Sequence, residues 1–240
     1  MSQKIIYFFL SILFISNAFS ITIDGDLSDD EWSNAETLEG FLTVFPDTLE
    51  KPKYKTEVKY FTDNKGIYFG ITNYQPKSTQ VIERHQRDSF YANADRNYVM
   101  IDFDNNASAG YEFTVTLGDS IRDSIFVDEN EFSDNWDAIW YAKTKSYEDF
   151  WISEYFIPWG VAPLIAEDGP FRTIKISVAR WAFGQNEVYN TPGLNLFKSP
   201  FLSKFTTIKI KNYKNQTNKI DFFPYASLTN NFIENNRKIN

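Results

Sequence analysis

The chain has 240 residues and a formal net charge of −8; 42% of residues are hydrophobic, 18% aromatic and 23% charged, with one His and no Cys. Without cysteine there are no disulfide scaffolds, thiol nucleophiles, iron–sulfur clusters or thiolate zinc sites, and the lone His85 rules out multi-His metal sites. The acidic balance argues against nucleic acid or anionic lipid as partner, because phosphate recognition needs a basic surface.

Met1 to Ser20 reads as an address. Lys4 precedes an apolar run from Ile5 to Ile15, and Ala18 and Ser20 supply small residues at a cleavage site. This is the pattern of a secretory signal peptide over 1–20, too short to span a bilayer. The rest is therefore expected to be exported: periplasmic, outer-membrane-associated or extracellular.

Residues 21–212 read as one domain. Ser28 and Glu31 form a capping-box pattern, so a short helix is predicted over 27–35. Tyr54, Thr56, Val58 and Tyr60 then alternate with Lys53, Lys55, Glu57 and Lys59, and the turn 63–66 leads into an apolar run over 67–71. Similar alternation marks strands at 98–103 and 111–117, and Gly118-Asp119 turns the chain into 121–127. Further strands are predicted at 138–143, 150–157, 173–181 and 205–211. Many short strands without a long amphipathic helix predict an all-β, antiparallel β-sandwich, jelly-roll-like, with one short N-terminal helix. Residues 213–240 read as a polar linker and tail, with one more strand-like stretch at 220–228.

Several side chains stand out. Trp32, Trp140, Trp151 and Trp181 fall in regular patterns and are expected in the core, whereas Trp136 and Trp159 sit at strand edges. Glu154 shares a strand face with Ile152 and Phe156, and Arg180 shares one with Ile174, Ile176 and Val178. A charge on an apolar face needs a partner, so the two are expected to form a structural ion pair or to meet a third polar group. Arg84 and Arg87 flank His85 and precede Asp88; their forks suit sugar hydroxyls or a carboxylate, or else a local Arg–Asp pair.

Ile23-Asp24-Gly25-Asp26-Leu27-Ser28-Asp29-Asp30-Glu31-Trp32 resembles the opening IDG-x-L-x-D-x-x-W signature of family 9 carbohydrate-binding modules. The likeness continues through Lys55–Val58, Asn64–Tyr68, Asp95 before the strand 98–104, Trp151-Ile152-Ser153-Glu154-Tyr155-Phe156-Ile157-Pro158, Arg180 and Pro192. Arg87-Asp88, the segment from Trp136 to Trp140 and the W-x-x-E-x-x-I-P element resemble the subfamily found ahead of an outer-membrane β-barrel in Gram-negative bacteria. The resemblance implies a calcium-supported sandwich whose relatives hold glycan chain ends between two aromatic rings. The matching ring positions are Phe90 or Tyr91, and Tyr189; neither is Trp, a departure from the binding pattern. With Arg84, Arg87, Asn186, Glu187 and Trp136 they make up the candidate ligand set. Asp24, Asp26, Asp102 and Asp104 are the candidate calcium ligands.

The implied function is an exported, monomeric, non-catalytic module that binds polysaccharide or oligosaccharide chain ends of xylan or glucan type in support of carbohydrate breakdown. The alternative is an envelope interaction domain of a truncated barrel protein without sugar affinity. A glycosidase would need a pair of carboxylates, which 32 Asp and Glu do not exclude by composition. No G-x-S-x-G elbow or glycine-rich phosphate loop is present.

Overall fold

Period-two alternation becomes two antiparallel sheets that share one core. A computed structural model describes residues 21–213 except 90, 91, 130 and 199; the expected signal peptide and the tail after 213 lie outside the described residues. The strands are β1 (Glu36–Leu38), β2 (Leu42–Phe45), β3 (Thr56–Thr62), β4 (Gly66–Tyr74), β5 (Arg96–Asp102), β6 (Ala109–Thr116) and β7 (Ile121–Val127). They continue as β8 (Glu131–Ser133), β9 (Tyr141–Ser146), β10 (Phe150–Pro158), β11 (Phe171–Ala182), β12 (Glu187–Thr191) and β13 (Thr206–Lys211). One sheet runs β1-β3-β4-β10-β9; the other runs β2-β12-β11-β5-β6-β7-β8, with β13 also paired to β11.

Alternate residues of each central strand meet between the sheets. Val58, Phe69, Ile71 and Tyr155 face Val99, Ile101, Phe113, Ile176 and Val178 in the main core. The eight-stranded sheet also carries a second apolar cluster, in which Met100, Phe126 and Ala179 are covered by Phe201, Leu202 and Phe205. The segment after β12 therefore folds back over the outer side of that sheet.

The strands predicted up to residue 211 are present, the one expected at 138–143 running instead from Tyr141 to Ser146, while that at 220–228 lies outside the described residues. Strands β1, β2, β8 and β12, three to five residues each, carry too little alternation to be read beforehand. The predicted helix over 27–35 is instead a single 3-10 turn, Asp30–Asn34, whose N-cap residue Asp29 makes no side-chain cap bond. Tertiary contacts set this segment, not local propensity. It crosses the outer face of the five-stranded sheet, where Leu27 and Trp32 settle onto Gly70 and Gly25 onto β9. A Cβ at Gly70 would lie 2.6 Å from Leu27 Cδ2 and 3.1 Å from Trp32 Cη2. Gly70→Ala is thus expected to destabilise by about 1–3 kcal/mol through overpacking, measured by urea denaturation; a loss below about 0.5 kcal/mol would show that the strap yields freely.

Candidate functional site

Strand parity decides which side chains leave the core. Because Val99, Ile101, Phe113, Val115 and Val178 point inward, their neighbours Arg96, Tyr98 and Met100 on β5, Glu112, Thr114 and Thr116 on β6, and Ala179 and Trp181 on β11 point to the other side. His85, Gln86, Ser89, Ala92 and Asn93 on one side, and Leu194 to Phe197 with Phe201 on the other, line a cavity of about 790 Å³ over that face.

Both walls are tied down. Asn195 Nδ2 donates to the Val44 carbonyl at 3.1 Å, the Leu194 amide donates to Asn190 Oδ1 at 2.6 Å, and Lys198 pairs with Asp47. On the other side, the His85 amide donates to Ser120 Oγ at 2.7 Å. Phe197, 88% exposed, and Phe45, 45% exposed, stand at the rim with free ring surface.

Arg96 is the polar centre of the floor. Its guanidinium carbon lies 4.3 Å from the Trp181 ring centroid, Nε donates to Tyr98 Oη at 2.5 Å, and Nη1 donates to the Ala92 carbonyl at 2.5 Å. Stacking on an aromatic face is a geometry that suits the planar guanidinium. Beside it, buried Glu112 accepts from Arg122 Nη2 at 2.5 Å and from Thr114 Oγ1 at 2.9 Å. Burial pushes the Glu112 carboxyl up from its ordinary range, with Arg122 opposing. Glu112 is the only carboxylate among the described residues lining the cavity, whereas glycoside hydrolysis uses two.

The inner side of β11 carries a separate buried network just behind this floor. Arg180 Nη2 donates to Gln75 Oε1 at 2.6 Å, and its Nη1 donates to the Lys55 carbonyl at 3.1 Å and Thr56 Oγ1 at 3.2 Å. Gln75 Nε2 donates in turn to Asp95 Oδ2 at 3.0 Å, and Asp95 also accepts from the Val81 and Phe183 amides. Asp95 immediately precedes Arg96, so this network positions the start of β5. Rings of Tyr54, Trp151 and Tyr189 surround the guanidinium at 5.7–6.0 Å.

Of the residues expected to bind ligand, Asn186 lines the cavity, and Phe90 and Tyr91 lie outside the described residues. Tyr189 does not present a platform: it is fully buried, its hydroxyl donating to Glu187 Oε2 at 2.5 Å, because its parity on β12 points it inward beside Arg180. Glu187 is engaged by that bond. Arg87 is not aimed at the cavity either, since Asp123 at 2.6 Å, Asp137 at 2.7 Å and the Ala138 carbonyl at 3.0 Å hold it. Arg84 is exposed near Asp119, and Trp136 packs on Tyr111 and Phe113 against the core.

Glu154 and Arg180 do not pair. Glu154 lies on the outer face of β10, where its carboxylate accepts from the Asp24 and Gly25 amides at 2.9 and 3.0 Å and from Trp32 Nε1 at 3.3 Å. Each charge has found polar partners, on opposite sides of the five-stranded sheet. Trp181, expected in the core, alternates out of phase with Val178 and Arg180 and so faces the cavity.

The four candidate calcium ligands do not come together. Asp26 holds Lys145 and Tyr147; Asp24 caps the Asp26 amide. Asp102 accepts from the Asp104 and Ala107 amides, and Asp104 accepts from Ile165 N and Arg172. Among the described residues no three acidic or histidine side chains converge on a metal-sized point.

Arg96, Trp181, Phe45 and Phe197 were not singled out as ligand-binding from sequence. Strict parity counting from Val99 and Val178 exposes the first two; the rim phenylalanines depend on loop folding and carry no local signal.

No family model matches the chain, and no curated protein does. Solved structures share its fold. A family 9 carbohydrate-binding module from Caldicellulosiruptor kristjanssonii, in complex with glucose, superposes with a TM-score of 0.55 at 16% identity, covering 83% of this chain and 96% of that one. The same organism's family 9 module in complex with cellotriose gives 0.50 at 16% identity over 85% and 96%. A putative carbohydrate-binding protein from Bacteroides uniformis gives 0.51 at 10% identity over 75% and 88%. At these identities the likeness is one of fold.

Proposed function

We propose that the protein is a non-catalytic carbohydrate-binding module that takes saccharide in the cavity on the outer face of its eight-stranded sheet. The observation that carries this reading is the meeting of free aromatic surface, at Phe197 and Phe45, with the stacked pair of Arg96 and Trp181 in one enclosed pocket. Aromatic faces pack on the apolar faces of sugar rings, and a guanidinium donates to vicinal hydroxyls. The likeness to modules solved with glucose and cellotriose supports the same ligand class. That Glu112, locked by Arg122, is the one carboxylate among the described residues lining the pocket supports binding over hydrolysis. Export, and binding at the chain ends of xylan- or glucan-type polymers, belong to the same proposal.

Calorimetric titration with cello- and xylo-oligosaccharides, native and with the reducing end reduced, tests it. Binding is expected, and its loss on end reduction identifies a chain-end site. Phe197→Ala is expected to weaken binding about twofold to tenfold, the range of one aromatic stacking contact. A folded protein that gives no heat with any oligosaccharide overturns the proposal.

A further inference from the structure

The floor of the cavity changes character along one row of the sheet. Strand register places Thr116, Arg96, Trp181, Val188 and Phe45 side by side across β6, β5, β11, β12 and β2. The next row runs Arg122, Thr114, Tyr98, Ala179. Hydroxyls and charges therefore sit on the β6–β7 side. The β11–β12–β2 side is largely apolar: Asn190, which continues the second row, has its amide engaged by Ser177 Oγ and the Leu194 N–H, and Leu194 and Leu196 add apolar surface from the covering segment.

The polar half has capacity in hand. Trp181, which lines the cavity beneath the Arg96 guanidinium, has a buried indole Nε1–H with no acceptor among the described residues. A buried donor without an acceptor points to a ligand oxygen. The apolar half asks for something else. A sugar hydroxyl turned onto Val188, Ala179 and Leu196 would lose water and gain no hydrogen bond, which is unfavourable. An alkyl chain laid there gains from leaving water. The volume of about 790 Å³ also lies high in the range of about 300–1,000 Å³ typical of pockets that enclose a whole mid-sized molecule.

We infer that the ligand is amphipathic: a glycan bearing an alkyl or acyl chain, its sugar over Arg96 and Thr114 and its chain along Val188 and Leu196. This rests on the carbohydrate reading of the same pocket and narrows it. An unsubstituted sugar leaves the aliphatic half wet, and a simple lipid leaves the Trp181 indole N–H without an acceptor.

The test is calorimetric titration of the protein with matched methyl and octyl glycosides of glucose and of xylose, below their micelle concentrations. An octyl chain on a zwitterionic head forms the third arm. An octyl glycoside is expected to bind at least tenfold more tightly than its methyl counterpart, about 1.4 kcal/mol, and at least tenfold more tightly than the zwitterionic amphiphile. Val188→Thr, which places a hydroxyl in the apolar half with little change of shape, is expected to shrink the octyl-to-methyl ratio. Equal affinities of methyl and octyl glycosides overturn the inference and leave the sugar site standing; an unchanged ratio in Val188→Thr puts the chain elsewhere and overturns it as well. Equal binding of both octyl amphiphiles without any binding of the methyl glycosides overturns the inference and the carbohydrate reading together. So does failure of every probe to bind.

Discussion

Arg180→Ala is expected to cost about 3–5 kcal/mol of folding stability. The side chain is fully buried and among the largest so placed, so its removal leaves a cavity that the surrounding rings of Tyr54, Trp151 and Tyr189 fill only in part. It also strips a donor from the Lys55 and Tyr74 carbonyls, Thr56 Oγ1 and Gln75 Oε1. Buried acceptors left unpaired each carry a desolvation penalty of about 1–3 kcal/mol. Asp95, held at the far end of Gln75, then loses the compensating cation and its carboxyl rises further above its ordinary range, where burial already holds it. Burial pushes the Arg180 guanidinium down to about 10, so it remains charged at neutral pH. For a domain of this size, 1 kcal/mol moves Tm by about 2–4 °C, so a fall of roughly 10 °C is expected. Arg180→Lys should fall between, since an ammonium keeps the charge but lacks the planar fork that spans these acceptors. Urea denaturation followed by tryptophan fluorescence measures both variants; a loss below about 1 kcal/mol for Arg180→Ala would show that the network stabilises nothing.

Arg180 also shows what was legible in the sequence. Its place inside the sandwich follows from sharing parity with Ile174, Ile176 and Val178, a strictly local signal. Its partners come from the ends of β3 and β4, more than a hundred residues away, and no spacing reports them. Glu154 shares parity with Ile152 and Phe156 in the same way, but the apolar face it joins is the outer one, covered by residues 21–34 rather than by the second sheet. Periodicity says that a face is buried without saying what buries it. The site divides along the same line. Arg96 and Trp181 can be placed outward by counting from their neighbours, whereas Phe197 depends on how a loop with little regular structure crosses the sheet. Tyr189 is buried beside Arg180, and β12, five residues long, is too short for its alternation to show that in the sequence.

The buried carboxyl of Glu154 makes stability depend on pH with a definite sign. Desolvation raises it from the ordinary 4.5 to about 7, against the Gly25, Asp24 and Trp32 donors that favour the charged form; the nearby Asp24 carboxylate adds to the rise. A folded-state value above the unfolded one means that the folded protein holds the proton more tightly. The contribution is therefore fully present below about 4.5 and is lost as pH climbs through about 7. At 1.36 kcal/mol per unit, the swing is about 3 kcal/mol. Other carboxyls shift in both directions, Asp95 and Asp123 upward and Asp26 and Asp119 downward, so the total pH profile does not isolate Glu154. Comparison with Glu154→Gln does, because the amide keeps the volume and does not titrate. Between pH 8 and pH 4.5 the native protein is expected to gain about 3 kcal/mol relative to this variant, read from paired urea curves. Parallel profiles would mean that the carboxyl is hydrated in the folded state and that the strap of residues 21–34 does not seal it from water. The strap is where the effect is felt: the same carboxylate holds the backbone at Asp24 and Gly25 and the indole of Trp32. An ionised Glu154 keeps all three bonds but bears the cost of burial, and a protonated one relieves that cost while weakening them. The segment is thus held tightly over the whole range, and its anchoring changes in kind, from charge-assisted to neutral hydrogen bonds, as the pH falls.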